Sequence, residues 1–115
     1  MNFRSLVVLI PGILLIAVLA FAVDNKGAEQ IELYGGDRGN VPFPHHQHQN
    51  IIQDCEACHA VFPQEKGAIK RLKTDGQLNS KHVMNKLCTK CHREKKKAGE
   101  KSGPVTCKQC HIRTE

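Results

Sequence analysis

The sequence contains few of the side chains from which a protein core is usually built. It has no tryptophan, one tyrosine and four phenylalanines among 115 residues. From Val23 onward, Leu, Ile, Val and Phe make up about 17% of the residues, below the roughly 20% under which a charged chain is expected to be disordered. Either this part is disordered or something other than side chains fills its core. Disulfides or metals are the usual aids in a chain this small.

Charged residues are nearly absent from the start of the chain. Arg4 is followed by an apolar run from Leu6 to Val23, and Ala20-Phe21-Ala22 has the small-x-small pattern of a signal-peptidase site. The pattern predicts a secretory signal peptide over residues 1–22. The alternative is an uncleaved membrane anchor through residues 5–23, because such a run approaches the roughly 18 to 20 residues that span a bilayer. Either interpretation places the rest of the chain outside the cytoplasm.

Acidic residues are outnumbered by basic ones. Lys and Arg total 17 against 11 Asp and Glu, which gives a formal net charge of +6. In a cytosolic protein, a basic surface of this kind would suggest nucleic acid as a ligand. The export signal and the shortage of aromatic side chains for base stacking argue against that interpretation. We therefore expect no nucleic-acid partner.

Cysteine occurs only within a repeated motif, Cys-x-x-Cys-His. The three copies are Cys55-Glu56-Ala57-Cys58-His59, Cys88-Thr89-Lys90-Cys91-His92 and Cys107-Lys108-Gln109-Cys110-His111. This motif is the attachment signature of c-type haem. On a helical turn, residues three and four apart share a face, so both thiols reach one porphyrin and the histidine lies beneath it as the proximal iron ligand. The sequence therefore predicts three covalently bound haem c groups, with His59, His92 and His111 as proximal ligands.

Other uses of paired cysteines explain this motif less well. Structural zinc takes four ligands, so three Cys-x-x-Cys pairs would leave one pair unmatched. A disulfide scaffold is compatible with an exported protein, but neither it nor zinc requires a histidine directly after each pair. A thioredoxin-type redox site needs a strand-rich α/β context that this sequence lacks. Three haems would also supply the apolar core that the side chains do not.

Four histidines lie outside the motifs: His45, His46, His48 and His82. Each proximal histidine fills one axial position, so three distal positions remain to be filled. A lone histidine is more often a solvated surface residue, but three distal ligands are needed and three of these histidines closely precede the first motif. Met84 is the only methionine outside the leader, so a His/Met site is limited to one haem.

The sequence pattern predicts little regular structure. The expected elements are strands at 31–34 and 41–43 around a turn-rich stretch at 35–40, a helical turn after Pro44, mostly loop over 60–80, a helix capped by Asn79 or Ser80, and a charged helix from Leu87 to Lys97. Alternation of apolar and polar residues indicates the strands, and clustered glycines indicate the turn. The expected fold is a small, mostly irregular and α-helical domain with a short N-terminal β-hairpin.

The stretch Val41-Pro42-Phe43-Pro44-His45-His46-Gln47-His48-Gln49, followed by the first haem motif, resembles the opening of the three-haem cytochrome c7 branch of the class III, cytochrome c3-like cytochromes. The resemblance covers about residues 30–113. It implies a multihaem cytochrome c3/c7-like fold wrapped around three haems. Residues 1–22 would be the leader or anchor, 23–30 a linker and 31–115 the triheme domain. The tetrahaem relatives have a fourth motif that this chain lacks.

The resemblance also implies which histidines pair on one iron. In this family, both histidines of Phe-x-His-x-x-His are distal ligands, the first for the first haem and the second for the next haem along. The implied sets are His45 with the haem of Cys55, Cys58 and His59, His48 with that of Cys88, Cys91 and His92, and His82 with that of Cys107, Cys110 and His111.

Two imidazoles on each iron leave no axial position open for a substrate, so we expect a periplasmic electron carrier rather than an enzyme. Histidine in place of methionine favours a low potential, and the family resemblance suggests anaerobic respiration. The alternatives are a multihaem reductase with one open iron site and a membrane-anchored haem subunit of a respiratory complex. The basic segment Lys95-Lys96-Lys97 predicts either a docking surface for an acidic redox partner or simply a solvated helix face.

Overall fold

The computed structural model describes residues 24–113. The predicted leader, with its cleavage site after Ala22 and the alternative anchor through residues 5–23, lies outside the described residues. Within residues 24–113, no helix combines the length and the apolar character that crossing a membrane requires.

An antiparallel hairpin begins the fold, as the alternating sequence pattern predicted. Strand β1 spans Gln30–Leu33 and β2 spans Val41–Pro44, with Ile31 opposite Phe43. Exposed and half-buried residues alternate along β1, because successive side chains of a strand point to opposite faces. The turn between the strands contains one 3-10 turn, Gly36–Arg38. The hairpin leads the chain directly into the first histidine-bearing helix.

Helix α1, His45–Ile52, starts immediately after β2. Pro44 precedes it, has no backbone N–H to leave unpaired, and has a fixed φ that suits the entry to a helix. The helix ends at Gln53, whose left-handed backbone (φ 56°) lets its N–H donate to the Gln49 carbonyl at 3.0 Å. The one-turn helix α2, Glu56–His59, begins after a gap of three residues.

Residues 60–80, expected to be mostly loop, include one further helix. Helix α3 covers Ala68–Thr74 and is rich in residues that favour helix, namely Lys, Arg, Leu and Ala. Its 7 residues are too few to reveal helical periodicity in the sequence. Lys70 and Lys73 place their Nζ atoms 5.6 and 5.1 Å from the centre of the Tyr34 ring. These cation–π contacts attach α3 to the end of the hairpin's first strand.

The predicted cap at Asn79 opens the region that carries the second motif. The Asn79 side chain accepts a hydrogen bond from the Lys81 N–H at 2.8 Å, as expected of an N-cap. The short helix α4, Ser80–His82, continues through a π-helical stretch, Val83–Cys88, into α5, Thr89–Lys97. Stretches of π-helix are rare, and those that occur are often found at functional sites. This one ends at the first cysteine of the second motif.

The C-terminal end of the described chain returns to the hairpin turn. Helix α6, Cys107–Cys110, is a single turn. Beyond it, the Ile112 N–H donates to the Asn40 carbonyl at 2.9 Å, and the two residues form an isolated antiparallel bridge. The last motif is thereby attached to the turn that precedes β2.

The described side chains form almost no core of their own. Among residues 24–113, Ala68 is the one apolar residue that is buried, at 5% exposure, and no polar or charged residue is buried. Burial this sparse does not offset the entropy lost when a backbone is ordered. The fold is the small, mostly irregular and α-helical one with an N-terminal hairpin that the sequence predicted, and side chains alone do not fill it.

Candidate functional site

Each Cys-x-x-Cys-His motif lies on helical backbone. In the first, the His59 N–H donates to the Cys55 carbonyl at 2.9 Å, and in the third, the His111 N–H donates to the Cys107 carbonyl at 2.8 Å. The second motif begins at the end of the π-helical stretch and continues into α5. A hydrogen bond across four residues brings the first cysteine and the histidine to one side of the turn. The helical turn expected from the spacing is therefore present.

Thiols from different motifs lie close enough to influence one another. Burial raises the pKa of the Cys88 thiol to about 11, with further increases from Cys58 and Cys110. Burial also raises the pKa of Cys58, followed by effects of Cys91 and Asp54. Cys88 is exposed by surface area, so the burial that acts on its sulfur is crowding by neighbouring groups. The sulfur atoms of the three motifs thus lie within electrostatic reach of one another.

Five histidines share one hydrogen-bonding pattern, in which ring atom Nδ1 faces a backbone carbonyl. The pairs are His45 with Ala28 (3.1 Å), His48 with Pro44 (2.9 Å), His59 with Phe62 (2.8 Å), His92 with Pro104 (2.6 Å) and His111 with Gly39 (2.8 Å). A carbonyl only accepts hydrogen bonds, so Nδ1 carries the proton and Nε2 keeps its lone pair. Metal-binding histidines are usually oriented in this way, with the second nitrogen left for the metal.

The other two histidines depart from this pattern. His46 uses the opposite ring nitrogen: its Nε2 lies 3.0 Å from the Gly27 carbonyl, so Nε2 carries the proton and donates it. His46 is therefore unsuited to bind a metal through the nitrogen that the five other rings leave free. His82 is exposed on α4 and lines a shallow surface groove together with Asn79 and Lys86.

Three pairs of histidine rings have centres 6.2 Å apart: the chain neighbours His45 and His46, and two pairs that join different parts of the chain. The ring centres of His45 and His59 are 6.2 Å apart with planes at 89°, and those of His48 and His92 are 6.2 Å apart with planes at 38°. Imidazole nitrogen binds metals such as zinc at about 2 Å, and the ring centre lies about 1 Å further back, so imidazoles on opposite sides of one metal have centres roughly 6 Å apart. The structure thus brings together the same two pairs that the family resemblance implies.

Phe43 helps to orient one of these rings. Its ring centre lies 4.2 Å from that of His48, with the planes tilted by 32°, a separation at which aromatic rings attract each other. Phe43 belongs to β2 and His48 to the first turn of α1. The phenylalanine of the Phe-x-His-x-x-His pattern therefore packs against the second histidine of that pattern.

The third implied pair is not brought together. His111 lies at the hairpin turn, with its Nδ1 bonded to Gly39, whereas His82 is exposed on α4. The close ring pairs among residues 24–113 do not include His82 with His111. Pairing of these two histidines on one iron stays a prediction.

The basic segment at the end of α5 is partly neutralised. The Lys95 Nζ lies 2.7 Å from a carboxylate oxygen of Glu100. This hydrogen bond, followed by the attraction of the carboxylate charge, raises the pKa of Lys95. Lys96 and Lys97 are exposed. The exposed positive charge of the segment Lys95-Lys96-Lys97 therefore lies at Lys96 and Lys97.

The donor groups fit haem better than a bare metal ion. Among residues 24–113, no three His, Cys, Asp or Glu side chains are clustered so as to hold a metal ion, and a four-ligand zinc site would need such a cluster. Imidazoles instead meet in pairs, and a haem iron takes two axial ligands beyond its porphyrin. No disulfide joins any two of the six cysteines, all of which lie within the described residues.

The backbone groups that orient these rings could not be identified from the sequence. They include the carbonyls that accept the Nδ1 protons and two glycines, Gly35 and Gly103, that closely approach His111 and His92. None of these groups is a chemistry-bearing side chain. The only sequence signal for the glycines is their turn-forming composition, which predicts a loop and not its contact.

Comparison with protein families identifies relatives that carry haem. The family described as cytochrome c7 and related cytochrome c matches residues 41–112. Cytochrome c7 of Geobacter metallireducens is 34% identical over 95 residues, which cover 83% of this chain and 82% of that protein. The 26 kDa cytochrome c3 of Desulfomicrobium norvegicum is 28% identical over 99 residues, covering 73% of this chain and 87% of that protein.

Solved structures of similar fold lead to the same family. PpcC, a cytochrome c7 from Geobacter sulfurreducens, has a TM-score of 0.52 and 32% identity, covering 76% of this chain and 100% of that chain. The triheme cytochrome PpcA from the same organism has a TM-score of 0.52 and 31% identity, covering 75% and 100%. The chain therefore belongs to the cytochrome c7 family: it is a multihaem electron carrier with three covalently bound haem c groups, and its six cysteines fit their three attachment sites.

Proposed function

We propose that this protein is a periplasmic electron carrier of anaerobic respiration in which two histidines ligate each haem iron. Each motif attaches one haem through its two cysteines and supplies the proximal histidine. The proposed sets are Cys55, Cys58 and His59 with distal His45; Cys88, Cys91 and His92 with distal His48; and Cys107, Cys110 and His111 with distal His82.

The observation that carries this proposal is the spacing of the two ring pairs. His45 and His59, and likewise His48 and His92, have ring centres 6.2 Å apart, close to the separation of two imidazoles on one metal. All four rings donate Nδ1–H to a backbone carbonyl, which leaves Nε2 for the iron. Two imidazoles on one iron need both this separation and a free Nε2. His45 and His46 also have ring centres 6.2 Å apart, but His46 has no free Nε2 because it donates to the Gly27 carbonyl.

Helix α1 favours electron exchange between the first two haems. His45 and His48 are three residues apart on its first turn and therefore face one side, while their ring partners belong to different motifs. One turn of helix thus holds the two haem sites next to each other. The haems supply the electron-transfer chemistry, and the contribution of the chain is to fix their separation and orientation.

The hydrogen bonds on Nδ1 favour a low reduction potential. A carbonyl that accepts the Nδ1 proton increases the basicity of the imidazole, and a more basic ligand stabilises the oxidised iron. Histidine in place of methionine acts in the same direction, because His/Met ligation raises the potential. With both axial positions filled by side chains, no position is left for a substrate, as expected of a carrier that is not an enzyme.

A multihaem reductase is the second candidate, and one observation favours it. His82 is exposed and is not among the close ring partners of His111 within residues 24–113. A third haem without His82 would keep one axial position open for a substrate. The carrier remains the preferred proposal because it uses one histidine for every axial position and leaves only His46, whose Nε2 is engaged by Gly27.

The periplasmic location is inferred from the leader, with residues 1–22 as a signal peptide, 23–30 leading into the domain and 31–115 forming the triheme domain. A retained anchor through residues 5–23 would instead make the protein a haem subunit of a membrane complex. The residues after the leader are bonded to α1: carbonyls of Lys26, Gly27 and Ala28 pair with Gln49 (2.7 Å), His46 (3.0 Å) and His45 (3.1 Å).

The redox partner is proposed to present an acidic surface. Without Arg4 of the leader, the net charge of +6 becomes +5. Lys96 and Lys97 are exposed on α5 close to the second motif. Complementary charge steers two proteins together and raises the association rate more than the affinity.

Three measurements on one preparation test the proposal. The full chain is produced with a c-type haem maturation system, and intact mass, pyridine haemochrome absorption and the response of the reduced protein to CO are recorded. We expect a mass for three haems on a chain beginning at Val23, and a Soret band that CO does not move. A CO-sensitive fraction equal to one haem would favour the reductase, and fewer than three haems would overturn both candidates. The His45→Ala variant is the positive control for CO binding.

A further inference from the structure

Two histidine rings are approached by glycines at distances that no other residue would permit. A Cβ atom at Gly103 would lie 2.5 Å from Cε1 and 2.7 Å from Nε2 of His92. A Cβ atom at Gly35 would collide first with the carbonyl oxygen of Gly39, and it would also lie 2.6 Å from Nδ1 of His111. Real Cβ atoms essentially never come within 3.0 Å of another heavy atom in this way. Neither glycine has a positive φ. Close approach, and not the backbone conformation, is therefore what requires glycine: to the His92 ring at Gly103, and at Gly35 to the Gly39 carbonyl and the His111 ring that this carbonyl bonds.

Each glycine is accompanied by a carbonyl that bonds the same ring. Next to Gly103, the Pro104 carbonyl accepts the Nδ1–H of His92 at 2.6 Å. In the hairpin turn, the Gly39 carbonyl accepts the Nδ1–H of His111 at 2.8 Å. We call Gly103 and Pro104 the His92 cradle, and Gly35 and Gly39 the His111 cradle. Each cradle limits both the tilt and the rotation of its imidazole.

Neither cradle belongs to the motif whose histidine it holds. The His92 cradle lies in the segment that leads to Cys107, the start of the third motif. The His111 cradle lies in the turn that leads through β2 to His45 and His48. The bond from Ile112 N–H to the Asn40 carbonyl at 2.9 Å fastens the third motif to that turn. Segments that serve one haem site therefore position a ligand of another.

The first motif provides an internal contrast. His59 donates its Nδ1–H to the carbonyl of Phe62, three residues along its own segment, at 2.8 Å. Within residues 24–113, no glycine has the His59 ring among the atoms nearest to its Cβ position. The orientation of His59 is therefore set within its own segment, while those of His92 and His111 depend on distant parts of the chain.

We infer that Gly103 and Gly35 are positioning residues for His92 and His111, and that they set the imidazole orientation and hence the reduction potential of the second and third haems separately. The inference rests on the proposed function, in which these histidines ligate iron. The partners of a ligating histidine fix its orientation and tune its basicity, and ligand properties tune the potential of a haem. A methyl group at either position would displace the ring or break its Nδ1 hydrogen bond.

The test compares Gly103→Ala and Gly35→Ala in the haem-loaded protein, with each variant serving as the control for the other. Haem-resolved NMR gives the shifts of the ligand protons and the midpoint potential of each haem. We expect Gly103→Ala to change mainly the haem attached at Cys88 and Cys91, and Gly35→Ala mainly the haem attached at Cys107 and Cys110. The Gly76→Ala variant has a strained backbone, with φ of +70°, but its Cβ meets nothing within 4 Å, so it should leave all three haems unchanged.

A second measurement needs no substitution and covers the case in which a variant does not fold. In the haem-loaded wild-type protein, the Nδ1 protons of His92 and His111 should exchange with solvent deuterium at least tenfold more slowly than an exposed imidazole proton. Exchange at the rate of an exposed imidazole proton would show that the two cradles do not hold these rings.

The outcomes separate this inference from the proposed function. Suppose that histidines ligate the second and third haems, but neither variant changes these haems or both variants change them equally. This result would contradict the role of the cradles and leave the proposed function intact. If the second and third haems lack histidine ligands in the wild-type protein, both the proposed function and the role of the cradles are wrong.

Discussion

His45 and His46 are neighbours in α1, but they bond the chain through opposite ring nitrogens. His45 donates from Nδ1 to the Ala28 carbonyl at 3.1 Å, whereas His46 donates from Nε2 to the adjacent Gly27 carbonyl at 3.0 Å. The first arrangement leaves Nε2 of His45 with a lone pair, and the second protonates Nε2 of His46. The two residues therefore have different chemical capacities.

The first prediction follows from that difference. Replacement of His46 by Ala should leave all three haems low-spin, because no iron loses a ligand. Replacement of His45 or of His48 by Ala should give one high-spin haem with a raised potential. Visible absorption and electron paramagnetic resonance of the oxidised proteins measure the spin states. A high-spin signal from the His46 variant together with none from the His45 variant would show that the ligand register is wrong.

The second prediction concerns His82, which is exposed on α4. If His82 is the distal ligand of the third haem, His82→Ala should create one high-spin haem that binds CO after reduction. The neighbouring exposed Lys81→Ala is the matched control and should bind no CO. Equal CO binding by the wild-type protein and the His82 variant would contradict the assignment and favour the reductase.

The third prediction concerns the cap of the helix that carries His82. Asn79 accepts a hydrogen bond from the Lys81 N–H at 2.8 Å, so Asn79→Ala should lower the free energy of unfolding by about 1 kcal/mol. Ser80→Ala changes the next residue without removing the cap, and it should stay within about 0.5 kcal/mol of the wild-type protein. Denaturant unfolding of the haem-loaded proteins provides the comparison. Equal stability of the two variants would show that the cap does not contribute.

The fourth prediction concerns docking through α5. Reversal of charge at Lys96 and Lys97 should slow electron transfer to an acidic partner by about tenfold at low salt, since steering of this kind raises association rates by 10-fold or more. The difference should shrink in high salt. The same charge change at the exposed Lys66, ahead of α3, and Lys81, in α4, is the control for net charge. Stopped-flow kinetics measures the rates, and an equal effect of both pairs would indicate net charge without a defined surface.

The fifth prediction concerns export. Covalent attachment of haem c requires the maturation system outside the cytoplasm, so deletion of residues 1–22 should yield a cytosolic chain without covalent haem. Haem staining of denatured protein on a gel, with the full-length chain as control, measures attachment. Recovery of fully haem-loaded protein from the cytosol would contradict the proposed route.

Much of the site can be predicted from local sequence, because haem attachment is a local pattern. The two cysteines and the histidine of each motif lie within one helical turn, so their spacing alone specifies their relative positions. The hairpin is equally local, since alternating strands flank a glycine-rich turn. The cap at Asn79 and the break in α1 near Gln53 also depend on residues a few positions apart, although only the first was predicted.

The remaining features depend on contacts between distant residues and could not be read from spacing. Helix α3 is too short to show periodicity, and the Lys95–Glu100 pair depends on how the chain turns after α5. The facing of His48 toward His92 joins α1 to α5. The contacts of Gly35 with His111 and of Gly103 with His92 form only when the hairpin turn and the segment before the third motif pack against other haem sites. The sequence by itself therefore determined the chemistry of attachment and the number of haems, whereas the tertiary structure decided how the histidine rings are oriented, because that orientation comes from backbone groups far away along the chain.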